Sequence, residues 1–101
     1  MSGVENPYRY QYETVAASAT AQPLGTTGAK GDYLHRIIVT VTTAASSTLS
    51  ILDSTTTVFT MAATTPIGVY SIEINAASAV GAWNVTTGAG LTVMAVGIFS
   101  A

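Results

Sequence analysis

Gly31-Asp32-Tyr33-Leu34-His35-Arg36-Ile37-Ile38-Val39-Thr40-Val41-Thr42 is the longest run of β-branched and aromatic residues in the chain. Successive side chains of a strand point to opposite faces. Tyr33, His35, Ile37, Val39 and Val41 therefore share one face, and Leu34, Arg36, Ile38, Thr40 and Thr42 share the other. Both faces carry bulk, which suits the middle of a sheet better than its rim. The run is expected to be the central strand of a small β-sandwich.

Working outward toward the C-terminus, short strand signals alternate with Ala/Ser/Thr or Gly turns. Ser47 to Leu52 places Leu49 and Ile51 on one face, and Asp53-Ser54-Thr55 reads as a turn in which Asp53 bonds the backbone two residues on. Thr57 to Met61 completes a hairpin. Gly68 to Asn75 sets Tyr70, Ile72 and Ile74 inward against Ser71 and Glu73 outward, with a loop from Asn75 to Gly81. Ala82 to Thr86 aligns Trp83 with Val85. Leu91 to Ser100 is apolar on both parities, so it belongs beside the central strand.

Toward the N-terminus, Leu24 to Gly31 reads as a glycine-rich loop and Glu13 to Ala21 as a weak strand of small residues ending at Gln22-Pro23. Residues 1–12 form an expected extended arm, and 13–101 a single domain. In Tyr8-Arg9-Tyr10-Gln11-Tyr12 an extended backbone puts three tyrosines on one face, which either packs on the body or lies across a neighbouring subunit. Tyr8, Arg9, Tyr10 and Tyr12 are accordingly the candidate interface residues. No apolar period of 3.6 persists, so no helix is expected. The fold class is all-β: a two-sheet antiparallel β-sandwich of seven or eight short strands, jelly-roll or immunoglobulin-like. The Cys-Trp-Cys signature of the second is missing, and the topology stays open.

Charge separates this chain from an ordinary domain. Only 8% of its 101 residues are charged, against roughly 25% in a typical soluble domain. Six of the eight charges fall at or before Arg36, and after Asp53 only Glu73 remains. Three basic residues and a net charge of −2 provide no footprint for nucleic acid or an anionic membrane. A Thr/Ala-rich surface with so few charges is poor at keeping molecules apart, and suits a subunit packed in an assembly. Open edge strands are commonly guarded by lysines, and the single lysine here, Lys30, sits in a loop. The edges are therefore expected to be covered by the arm or by another subunit. There are no cysteines, so an apolar core must carry the fold. Met1 to Pro7 lacks the basic and apolar regions of a secretory signal, and synthesis in the cytoplasm is expected.

Catalytic and metal-binding patterns are missing. The lone histidine, His35, would need Asp32, Asp53 or Glu73 around it to hold a metal, and no spacing brings them together. There is no Gly-x-Ser-x-Gly turn for a serine nucleophile, no phosphate-cradling loop at Lys30, and no paired acids for glycoside chemistry. An enzyme is not expected, nor any cofactor. Trp83 reads as core rather than as a sugar platform. Asn84-Val85-Thr86 matches a glycosylation sequon by chance within a strand. Asp32 with Arg36, or Lys30 with Glu73, are the expected surface ion pairs.

Three segments carry a resemblance: Gly28-Ala29-Lys30-Gly31-Asp32-Tyr33-Leu34, Gly81-Ala82-Trp83-Asn84-Val85-Thr86-Thr87-Gly88-Ala89, and Leu91-Thr92-Val93-Met94-Ala95-Val96-Gly97-Ile98-Phe99. With these the chain resembles small β-rich proteins encoded among the head genes of tailed bacteriophages, over roughly residues 25–101. The resemblance carries no catalytic residues. It implies a virion component, foremost a capsid decoration (cement) protein on the head surface. Such a protein is a homo-oligomer that has the major capsid protein or another virion protein as partner. The alternatives are a tail, collar or fibre component, or a receptor- or glycan-binding module.

Overall fold

The computed structural model describes residues 10–26 and 28–100. Within them the chain forms eight strands: β1 (Gln11–Val15), β2 (Gln22–Pro23), β3 (Tyr33–Val41), β4 (Leu49–Asp53), β5 (Thr56–Met61), β6 (Gly68–Ala77), β7 (Trp83–Thr86) and β8 (Leu91–Ile98). They make two antiparallel four-stranded sheets, ordered β1-β8-β3-β6 and β2-β7-β4-β5. The fold is thus all-β and sandwich-like, with no helix among the described residues. The bilateral run of Tyr33–Val41 does lie inside a sheet, between β6 and β8.

The facing sides meet in one core. Leu34, Ile37, Val39, Val41, Leu91, Val93 and Ala95 come from the first sheet, and Leu49, Ile51, Trp83 and Val85 from the second, all essentially inaccessible to water. Full burial of each large aliphatic side chain stabilises the fold by about 1.5–3 kcal/mol relative to exposure. Gly97 is a packing requirement here. A Cβ on it would strike the carbonyl oxygen of Tyr33 and come within 2.9 Å of the Phe99 ring.

Strict alternation fails in one place on β3. Leu34 pairs with Gly97 and Arg36 with Val96, leaving His35 as an extra residue opposite β8. This bulge puts Leu34 and Ile37 on the same buried face and turns His35 and Arg36 outward together. Ile37, Val39 and Val41 thus share a face as expected, but Leu34 joins them there in place of Tyr33 and His35.

The expected strand over Glu13–Ala21 is also corrected, because pairing stops at Val15 and the chain crosses to the other sheet. Thr87 forces the crossing: its N–H donates to the Ala19 carbonyl at 2.8 Å, and its hydroxyl accepts from the Ala19 N–H at 2.9 Å. Pairing begins at Gln11, so Gln11 and Tyr12 of the expected arm belong to the sheet, and residues 1–9 lie outside the described residues. The expected loop from Asn75 shortens, since β6 runs on to Ala77.

Candidate interaction surface

Three of the acidic side chains, Asp53, Asp32 and Glu13, accept hydrogen bonds from backbone N–H groups. Asp53 was expected to cap its own turn. Instead its carboxylate reaches across to the loop before β7 and accepts the N–H groups of Ala79 (2.7 Å), Gly81 (3.1 Å) and Val80 (3.2 Å). Desolvation pushes its pKa up, but the three N–H donors outweigh that and hold it below the usual carboxylate value. Asp32, also buried, accepts from the Ala29 N–H and from both the N–H and the hydroxyl of Ser100. Glu13 accepts from the Gly25 N–H at 2.7 Å and from the Gln22 amide at 3.0 Å. Asp32 is thus unavailable to Arg36, which pairs with Glu73 at 3.1 Å on the adjacent strand. That is the one ion pair among the described residues, and it replaces both expected ones.

Among the described residues no three His, Asp or Glu side chains converge as a metal site would require. His35 sits on the outer surface with its ring stacked on Tyr10 at 4.7 Å and 10°. Its Nδ1 lies 2.8 Å from the Asn75 side-chain oxygen, which also accepts from the Tyr33 hydroxyl. Trp83 is in the core, its Nε1–H donating to the Asp32 carbonyl at 2.8 Å. Asn84 of the sequon is half-buried and donates to the Ser54 carbonyl.

What remains uncovered is the outer face of the β1-β8-β3-β6 sheet. The register lays its side chains in rows: Tyr12, Val96, Arg36 and Glu73, then Thr14, Met94, Ile38 and Ser71. Thr14, Ala16, Ile38, Thr40, Thr92 and Met94 line a shallow groove of about 350 Å³ there. Of the candidate interface residues, Tyr10 and Tyr12 stand at the β1 margin of this face, Tyr12 with 71% of its surface exposed. Tyr8 and Arg9 lie outside the described residues. Among the described residues the surface is apolar and hydroxyl-bearing, and its charged side chains, Arg36 and Glu73, pair with each other.

The four sheet edges differ in how they are finished. β2 is two residues long and ends in Pro23, and both features blunt an edge. The Gln22 side chain caps one carbonyl of β1, that of Thr14. β5 carries a bulge, because Ile51 pairs with Phe59 and Leu52 with Thr57, leaving Val58 over. β6 also carries a bulge, Ile74 and Asn75 standing opposite His35, but over Gly68–Glu73 its pairing with β3 is continuous. The edges were expected to need cover from the arm or from another subunit; β1, β2 and β5 carry guards of their own, geometric rather than charged. None of these guards shows in a count of lysines. The Gln22-Pro23 signal was in the sequence, but its meaning depended on which strands reach the rim.

Set against protein-family models, curated proteins and solved structures, the chain matches none.

Proposed function

We propose that the protein is a structural component of a bacteriophage particle: a decoration protein that binds the exterior of the head through the outer face of the β1-β8-β3-β6 sheet, with the major capsid protein as partner. The observation that carries this reading is that face, a surface of hydroxyl and apolar groups rimmed by Tyr10 and Tyr12, whose one ion pair among the described residues is internally neutralised. A surface of this kind loses little charge solvation when covered, and tyrosine adds contact area with a polar tip. Burial near ~1,600 Å² would hold each copy, and preference for the expanded shell over its precursor would stabilise the head by linkage.

We read the fold as a jelly roll. In support, β1 pairs with β8, β2 with β7, β3 with β6 and β4 with β5, as in one long hairpin folded over on itself. Jelly rolls recur in viral capsid and lectin domains, and fold alone does not choose between them. The glycan-binding alternative loses Trp83 to the core and keeps only the tyrosine rings.

The test is co-sedimentation of purified protein with expanded and precursor heads, together with the copy number in whole particles. Saturable binding to expanded heads, weakened by Tyr12→Ser, and hundreds of copies per particle are expected. A handful of copies would place the protein in a tail, collar or fibre. Glycan capture without particle binding would overturn the structural reading altogether.

A further inference from the structure

We propose that β6 is a self-association edge, on which a second copy of this chain adds its own β6 antiparallel to form one continuous eight-stranded sheet. The inference goes beyond the particle reading and stands or falls independently of it. An edge strand presents unpaired N–H and C=O groups along its length, and the occupant that satisfies them is another extended strand. β2 is two residues long, β1 is paired over five residues with one carbonyl capped, and β5 is broken at Val58, whereas β6, bulged only at Ile74 and Asn75, keeps the longest unbroken stretch of edge, Gly68–Glu73. Its inward side chains Tyr70, Ile72 and Ile74 are only half-buried, and Val69 and Ile67 beside them are 68% and 64% exposed. The flank is thus apolar as well as unpaired.

Charge points to a second copy as the occupant. No charged residue occurs between Asp53 and Glu73, and Glu73 is drawn sideways onto Arg36. A two-fold axis through Ser71 sets Ser71 opposite Ser71, Tyr70 opposite Ile72 and Val69 opposite Glu73, with no like charges facing. A register centred on Glu73 would oppose two carboxylates and is disfavoured. In that register residues 68–74 of the two β6 strands overlap, about 24 Å at ~3.4 Å per residue, and two sheets with their side chains give ~20 Å of thickness. The product, ~480 Å² per copy, is below the ~800 Å² per partner of a standard interface and fits a weak dimer that forms with rising concentration. Two copies joined in this way present two outer faces side by side, so a target that repeats would be bound with avidity.

Sedimentation velocity across the micromolar range tests the proposal. Wild-type protein should shift toward twice the chain mass. Ser71→Glu, which keeps an acceptor for Arg36 but opposes two carboxylates at the axis, should raise the dissociation constant about tenfold or more. Because the chain has no cysteine, Ser71→Cys supplies a second readout. Mild oxidation should convert it to a covalent dimer much faster than Val80→Cys, placed on an exposed loop. A single-chain mass at every wild-type concentration would overturn the proposal. So would unchanged association of Ser71→Glu, or equal crosslinking at the two cysteine positions.

Discussion

The two flanks of the sandwich are built from the same kinds of residue and finished in opposite ways. On the β1/β2 flank Val15 and Leu24 are fully buried, and Glu13 ties Gln22 and Gly25 across the gap between the sheets. On the β5/β6 flank Phe59, Met61, Tyr70, Ile72 and Ile74 are only partly buried. The first flank is complete within one chain. The second leaves apolar side chains half-buried along its rim, and that is where the proposed second copy would add.

The comparison can be broken by mutation. Leu24→Ala, in the closed flank, should cost about 2–5 kcal/mol in denaturant unfolding, because it leaves a cavity with no path to solvent. Loss of less than 1 kcal/mol would mean that the flank is not sealed. Glu13→Ala removes a charged acceptor from two donors and should cost about 1.5–3 kcal/mol, with raised amide exchange at Gly25 as its local sign. Ile72→Ala, in the open flank, should cost only about 1–2 kcal/mol in dilute protein, since the side chain is half-exposed to begin with. Its cost should grow with protein concentration if a second copy covers the flank, and a concentration-independent value would count against that.

The smallest difference is confined to acid and belongs to the cage of Ala79, Val80 and Gly81 N–H groups around the Asp53 carboxylate. The folded-state pKa of Asp53 is depressed, so its carboxylate contributes stability above the unfolded value near ~3.9. That contribution is lost as pH falls through the lower folded value. Asp53→Asn should therefore flatten the acid limb of the stability profile below pH ~4. An acid limb identical to wild type would show that the cage does not depend on the charge.

Much of the sandwich was legible in period-two patterns. Leu49 with Ile51, Trp83 with Val85, and Tyr70 with Ile72 and Ile74 face the core as their alternation requires. The placement of the Leu91–Ile98 strand beside β3 followed from apolar residues on both its parities. The His35 bulge was not legible, because an extra residue in a ladder is a property of two strands and leaves no local mark. Asp53 was misread for a related reason. A turn-capping aspartate and one that binds a loop 26 residues away look alike in sequence. The contrast between flanks was hidden too, since it depends on which strands reach the rim, and that is settled by pairings between residues far apart in the chain. Of the four candidate interface residues, Tyr12 and Tyr10 stand where a strand alternation puts them, on the outer face.

Amide hydrogen exchange at two protein concentrations tests the account most directly. It compares residues 69–73 of β6 with residues 11–15 of β1 in the same sample, so each flank controls for the other. Protection at 69–73 should rise with concentration while that at 11–15 stays constant. Equal, concentration-independent protection on both flanks would contradict the claim that the β5/β6 side is completed by a second molecule.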